Sequence, residues 1–166
     1  MTPSKPVPSL SAQVLAPDRV AALDAEFTQV IEARIRKSPG LKGIALRTGV
    51  GVLAAAKPDI VKRGVARLLP DFISALDPLY ENYHRSGGAS AQSAAGSFGD
   101  YLLAHRKEAV AAMMQTADRR TEGSTNPMYH RFYGSLRGTI EREADAILPE
   151  MARNLDEELS HIQTIA

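Results

Sequence analysis

Two Glu-x-x-His sequences, Glu81-Asn82-Tyr83-His84 and Glu158-Leu159-Ser160-His161, come nearest to chemistry in this chain of 166 residues. On a helix, a carboxylate and an imidazole three residues apart are neighbours. Four-helix carboxylate proteins bind two metal ions with two such motifs and one glutamate from each of two further helices. Glu26 or Glu32, together with Glu108, are formally available for that second role. Spacing is half the requirement, because the ligands must also face inward. Around the first motif Phe72, Leu76, Leu79 and Tyr83 mark the apolar face. At about 100° per residue, Glu81 lies about 170° and His84 about 110° from that face, so both are expected to point to water. Leu148, Met151, Leu155, Leu159 and Ile162 make a narrow apolar seam in the terminal segment. His161 projects about 120° from this seam and Glu158 sits at its edge. No metal site, no cofactor and no catalytic residue are expected.

Other reactive side chains are scattered. His105 follows Tyr101 by four residues, close enough to share a helix face, but no nucleophile is placed beside them. Those two residues and Arg47, which lies inside a long apolar run, are the candidate ligand-binding residues. Tyr80, Tyr83, Tyr129 and Tyr133 are the candidate interface residues, since aromatic side chains not needed in a core make contact surfaces. Cysteine is absent, which removes disulfides, thiolate nucleophiles and cysteine-based zinc sites. Gly49-Val50-Gly51 is not followed by the Gly-Lys-Ser/Thr of a phosphate loop. A formal charge of +1 gives no long-range attraction to nucleic acid or an anionic membrane. Arg34, Arg36 and Lys37, and likewise Arg119 and Arg120, suit helix C-termini, where positive charge opposes the helix dipole.

The elements that must position these residues read as helices. The first dozen residues are rich in Pro and Ser, so residues 1–13 are expected to form a flexible arm ahead of a helical domain over 14–166. Asp18 looks like the N-cap of a helix running to Lys37, with Leu23, Phe27 and Ile31 on its apolar side. Gly40–Pro58 has apolar positions in nearly all directions, which predicts a buried central helix over about 41–56 with a stripe of Gly43, Arg47, Gly51 and Ala54. With Arg47 at its middle, that run is shorter and more polar than the roughly 20 apolar residues of a membrane span. Pro70-Asp71 is expected to start a new helix, and Asp77-Pro78 to supply an N-cap and first turn. Residues 86–96 (SGGASAQSAAG) read as a flexible linker. Ser97 with Asp100 resembles a capping box, a bend is expected near His105, and Asn126-Pro127 is a further helix start. Pro149 should split or kink the last helix.

Arg63–Asp77 (RGVARLLPDFISALD) and Arg142–Asp156 (READAILPEMARNLD) align without gaps, raising two related helical halves as an expectation. The predicted fold is therefore all-α, a single-domain bundle of six or seven helices around the central helix.

Leu15-Ala-Pro-Asp-Arg19, Leu41-Lys-Gly43, Leu68-Leu-Pro-Asp-Phe72 and Phe98-Gly-Asp-Tyr-Leu102 together resemble a bacterial family of small helical proteins classed as a domain of unknown function. The resemblance spans about residues 14 to 155. It implies a self-contained helical domain and transfers no site residues. The expected protein is soluble and cytoplasmic, with no signal-peptide run at its start. It is a non-enzymatic interaction or scaffold domain whose partner is another protein or a second copy of itself. The alternative is a binding module for a small apolar ligand in a cavity between helices, for which Met113 and Met114 speak.

Overall fold

A computed structural model of the chain describes residues 7–37, 59–88 and 96–165, and within them all regular secondary structure is helical. In chain order the helices are α1 (Leu10–Val14), α2 (Val20–Lys37), α3 (Ile60–Ala75), α4 (Asp77–Arg85), α5 (Phe98–Ala104), α6 (Arg106–Glu122) and α7 (Pro127–Ile165). They form the expected helical bundle. The predicted central helix over 41–56, with its stripe of Gly43, Arg47, Gly51 and Ala54, lies outside the described residues, as does most of the 86–96 linker.

The first correction concerns the arm. Residues 10–13, assigned to it, form the helix α1 together with Val14, and Leu10 and Val14 are 0% exposed. Ser9 caps this turn by accepting from the Ala12 amide at 3.2 Å. A single turn is not stable alone, because its nucleus costs more than one hydrogen bond returns. The hold comes from Asp77, whose carboxylate accepts from the Ser11 amide at 2.8 Å and from the Ser11 hydroxyl at 2.6 Å. Asp77 is thus the first residue of α4 and a lock on α1, rather than the N-cap of α4.

Proline explains the second set of differences. Pro70 lies inside α3 and so does not begin a helix, while Pro149 lies inside α7, which runs as one helix rather than two. Each lacks an amide donor, but Leu69 and Ile73 beside the first, and Leu148 and Met151 beside the second, are buried on both sides of the gap. Packing of that face holds the helix through the missing bond. Pro78, in the first turn of α4, follows a real break at Leu76.

Local signals that depend only on neighbouring residues come out as expected. Ser97 and Asp100 form a reciprocal capping box at the start of α5. Asn126 Oδ1 accepts from the Met128 amide at 2.9 Å at the start of α7. The bend at His105 separates α5 from α6. Around one core, Leu23 and Phe27 of α2 meet Leu69, Ile73 and Leu76 of α3, Leu102 of α5, and Leu148 and Leu155 of α7. No helix among the described residues is long and apolar enough to cross a membrane.

Candidate functional site

Four helices leave a groove between them. Phe27, Ile31 and Ile35 of α2, Leu68 and Phe72 of α3, Met113 and Met114 of α6, and Ile140, Ile147 and Met151 of α7 contribute to its lining, and its volume is about 370 Å³. The periodicity of each helix puts these side chains on its inner face, and the wall they make is almost wholly apolar. The two methionines suit it, because their unbranched, polarisable side chains adapt to an irregular surface. Among the lining residues Arg34 and Glu143 carry charge, and they face each other with Arg34 Nε 2.5 Å from Glu143 Oε2. Gly64 also lines the groove, and a methyl group built on it would meet nothing within 4 Å.

The residues singled out from sequence lie elsewhere. Arg47 falls outside the described residues. Tyr101 and His105 do share a face, with their rings stacked at a centroid distance of 4.0 Å. His105 Nδ1 lies 2.9 Å from the Tyr101 carbonyl oxygen, so the ring closes the end of α5. Neither residue lines the groove. Both belong to an aromatic cluster that continues through Tyr83 to Phe98 and Tyr80.

Burial removes three of the four candidate interface residues, because Tyr80, Tyr83 and Tyr133 all lie in the core. A buried phenol needs a partner for its hydroxyl, and each has one far away in sequence. Tyr80 accepts from Gln13 Nε2 at 3.1 Å, Tyr83 donates to the Gly96 carbonyl at 3.1 Å, and Tyr133 donates to Asp118 Oδ1 at 2.8 Å. Burial pushes all three hydroxyls above the usual phenol range. Arg137, hydrogen-bonded to both oxygens of Asp118, holds that carboxyl below its ordinary value. Tyr129 alone of the four is exposed, stacked at 6.5 Å on Tyr133 and next to Met128, which is 73% exposed.

The two Glu-x-x-His motifs do not behave alike. Glu81 is exposed and paired with Arg85. His84 is only half-buried rather than fully turned to water. Its ring meets Tyr80 edge-on at 4.5 Å, and its Nε2 is buried with no hydrogen-bond partner, so burial lowers its pKa. Glu158 is buried, not at an edge, while His161 is exposed. Glu158 acts on Glu26 of α2, whose pKa is raised first by burial, then by the charges of Glu158 and Glu157, against a lowering by His161. Among the described residues, no three His, Asp or Glu side chains converge as a metal site would need.

Met113 and Met114, the residues that speak for a cavity between helices, both line this groove. The Leu-Pro-acid repeat of α3 and α7 is the further mark of its walls, since Leu68 and Phe72 line one side and Ile147 and Met151 the other. The chain belongs to a family of unknown function (DUF6918), whose sequence model matches residues 10–159. No curated protein and no solved structure matches it.

Proposed function

We propose that this member of a family of unknown function is a non-enzymatic binding module, and that it holds a small apolar ligand in the groove between α2, α3, α6 and α7. The observation that carries this reading is the groove's composition and size: about 370 Å³ walled by aliphatic, aromatic and methionine side chains. Small-molecule sites fall in a range of roughly 300–1,000 Å³ and are mostly apolar, with a few polar groups that orient the ligand. Here Arg34 and Glu143 are the polar groups. Because they already satisfy one another, a neutral polar end suits them better than a second carboxylate. Binding energy would come from the apolar body, at ~0.8 kcal/mol for each buried methylene.

A titration with straight-chain primary alcohols tests this. Saturable one-to-one binding is expected, tightening by roughly three- to fourfold per added methylene until the groove is full. Gly64→Phe, which extends a ring into open space, should abolish binding without lowering the melting temperature. Absence of saturable binding, or binding that survives Gly64→Phe, overturns the reading. Binding that appears only after apolar residues of the run 41–56 are made polar would name that run, which joins α2 to α3, as the natural occupant instead.

A protein-contact role keeps one specific support, the exposed pair Met128 and Tyr129 at the start of α7. A strictly monomeric mass in solution at micromolar concentration would remove self-association through that end.

A further inference from the structure

Four features recur in the two halves of the chain, and the proline-containing helices repeat at a spacing of 79 residues. The first is the lock on a short helix. Asp156, the counterpart of Asp77 at a spacing of 79 residues, accepts from the Gly99 amide at 2.8 Å and from the Ser97 hydroxyl at 2.6 Å. Asp77 holds Ser11 at the same two distances. In both cases the amide belongs to the second residue of a short helix, α1 or α5, that a serine caps. The hydroxyl comes from Ser11 itself in α1 and from the capping Ser97 in α5. Gly99 allows this, since a Cβ there would sit 2.2 Å from Asp156 Oδ2.

The second is the short helices themselves. Ser9-Leu10-x-x-x-Val14-Leu15-Ala16 matches Ser97-Phe98-x-x-x-Leu102-Leu103-Ala104, and the buried pair is Leu10 with Val14 in one and Phe98 with Leu102 in the other. The third is the groove. Val61, Leu68 and Phe72 of α3 line it, and so do Ile140, Ile147 and Met151 of α7, each 79 residues further on. Gly64 and Glu143, one such pair, also both line it. The fourth is the pair of arginines that cross between the halves. Arg34 in the last turn of α2 binds Glu143 of α7, and Arg120 in the last turn of α6 binds Asp71 of α3, the two acceptors lying at different positions of the 79-residue register.

We infer that the chain is a tandem repeat of one helical unit, short helix, long helix and proline-containing helix, and that the groove is the seam where the two copies meet. α4 is then not an extra element. It corresponds to the end of α7, and Pro78 stands where α7 has Glu157, so the missing amide breaks the first copy at the place where the second runs on. A groove at the seam belongs to neither copy alone. This holds whatever fills it.

Exchange of the repeated segments in the full chain tests the inference. One variant carries the sequence of Arg142–Asp156 in place of Arg63–Asp77, in register. A second carries the sequence of Ser97–Ala104 in place of Ser9–Ala16, where Ser9 would take over the donor role of Ser97. Each has a control with the same graft displaced by one residue. The in-register grafts should unfold cooperatively and keep the amide of residue 11 exchanging at least about tenfold more slowly than in the displaced controls. Any result in which neither in-register graft outperforms its control overturns the repeat.

Discussion

The first half of the molecule, α1 to α4, and the second, α5 to α7, solve the same packing problem with different side chains, and the positions where they part show which features the fold needs. Leu69, Leu76 and Asp77 are kept as Leu148, Leu155 and Asp156, the two leucines of each set in the core and the carboxylate on a neighbouring helix. Elsewhere the halves diverge freely. The hydroxyl donor to the lock moves from Ser11 to Ser97, and a proline breaks one helix where a glutamate continues the other. The common requirement is an apolar seam with an anion fixed at one end. The helix lengths around it are adjustable.

Truncating the matched core leucines should have the largest effect. Leu69→Ala and Leu148→Ala each remove a buried side chain and should cost about 2–5 kcal/mol, measured by urea unfolding. Costs that differ by the whole of that range would break the equivalence of the halves. Next is Glu157→Pro, which copies the break of the first half into α7. It should cost ~3 kcal/mol by the same measurement, and a neutral outcome would mean that α7 need not be continuous. Asp77→Ala and Asp156→Ala each leave a helix amide without its acceptor, for about 1–3 kcal/mol apiece. Amide exchange should show the loss of protection confined to α1 in one variant and to α5 in the other.

The smallest effect is electrostatic. Glu26 Oε2 is buried without a hydrogen-bond partner, and burial with the nearby Glu158 raises its pKa above 4.5. The folded chain therefore binds this proton more tightly than the unfolded chain does. Stability falls as pH rises through the window between the two pKa values, and above that window the charged form carries a constant cost. Glu26→Met, which keeps the length of the side chain and removes its charge, should raise the melting temperature at pH 7, and the gain should shrink as pH falls through that window and be gone below it. A gain that is independent of pH would assign the effect to packing instead.

Much of this architecture was legible before any coordinates. Helix ends set by side chains within three or four residues, as at Ser97 with Asp100 or Asn126 with Pro127, could be read directly because the whole interaction lies in the local sequence. Features held by distant residues could not. α1 looked like a loose arm because its anchor is Asp77, and Pro70 looked like a boundary because the packing that carries α3 past it comes from other helices. The tyrosines were ambiguous for the same reason. Aromatic rings suit a core or a contact surface equally well, and what decides for the core is a hydroxyl partner such as Gln13 or Asp118 in another element. Periodicity identified the apolar face of each helix that lines the groove, but which part of those faces stays uncovered depends on all four helices at once.

The two carboxylate locks also order events in time. Asp77 secures a turn 66 residues before it, and Asp156 one 57 residues before it. As the chain leaves the ribosome, each short helix is made first in its half and fixed last, when the far end of the same half arrives to supply the anion. Each short helix therefore gains its anchor only when the far part of its half has been made, and both partners of the first lock are present before the second half has been synthesised.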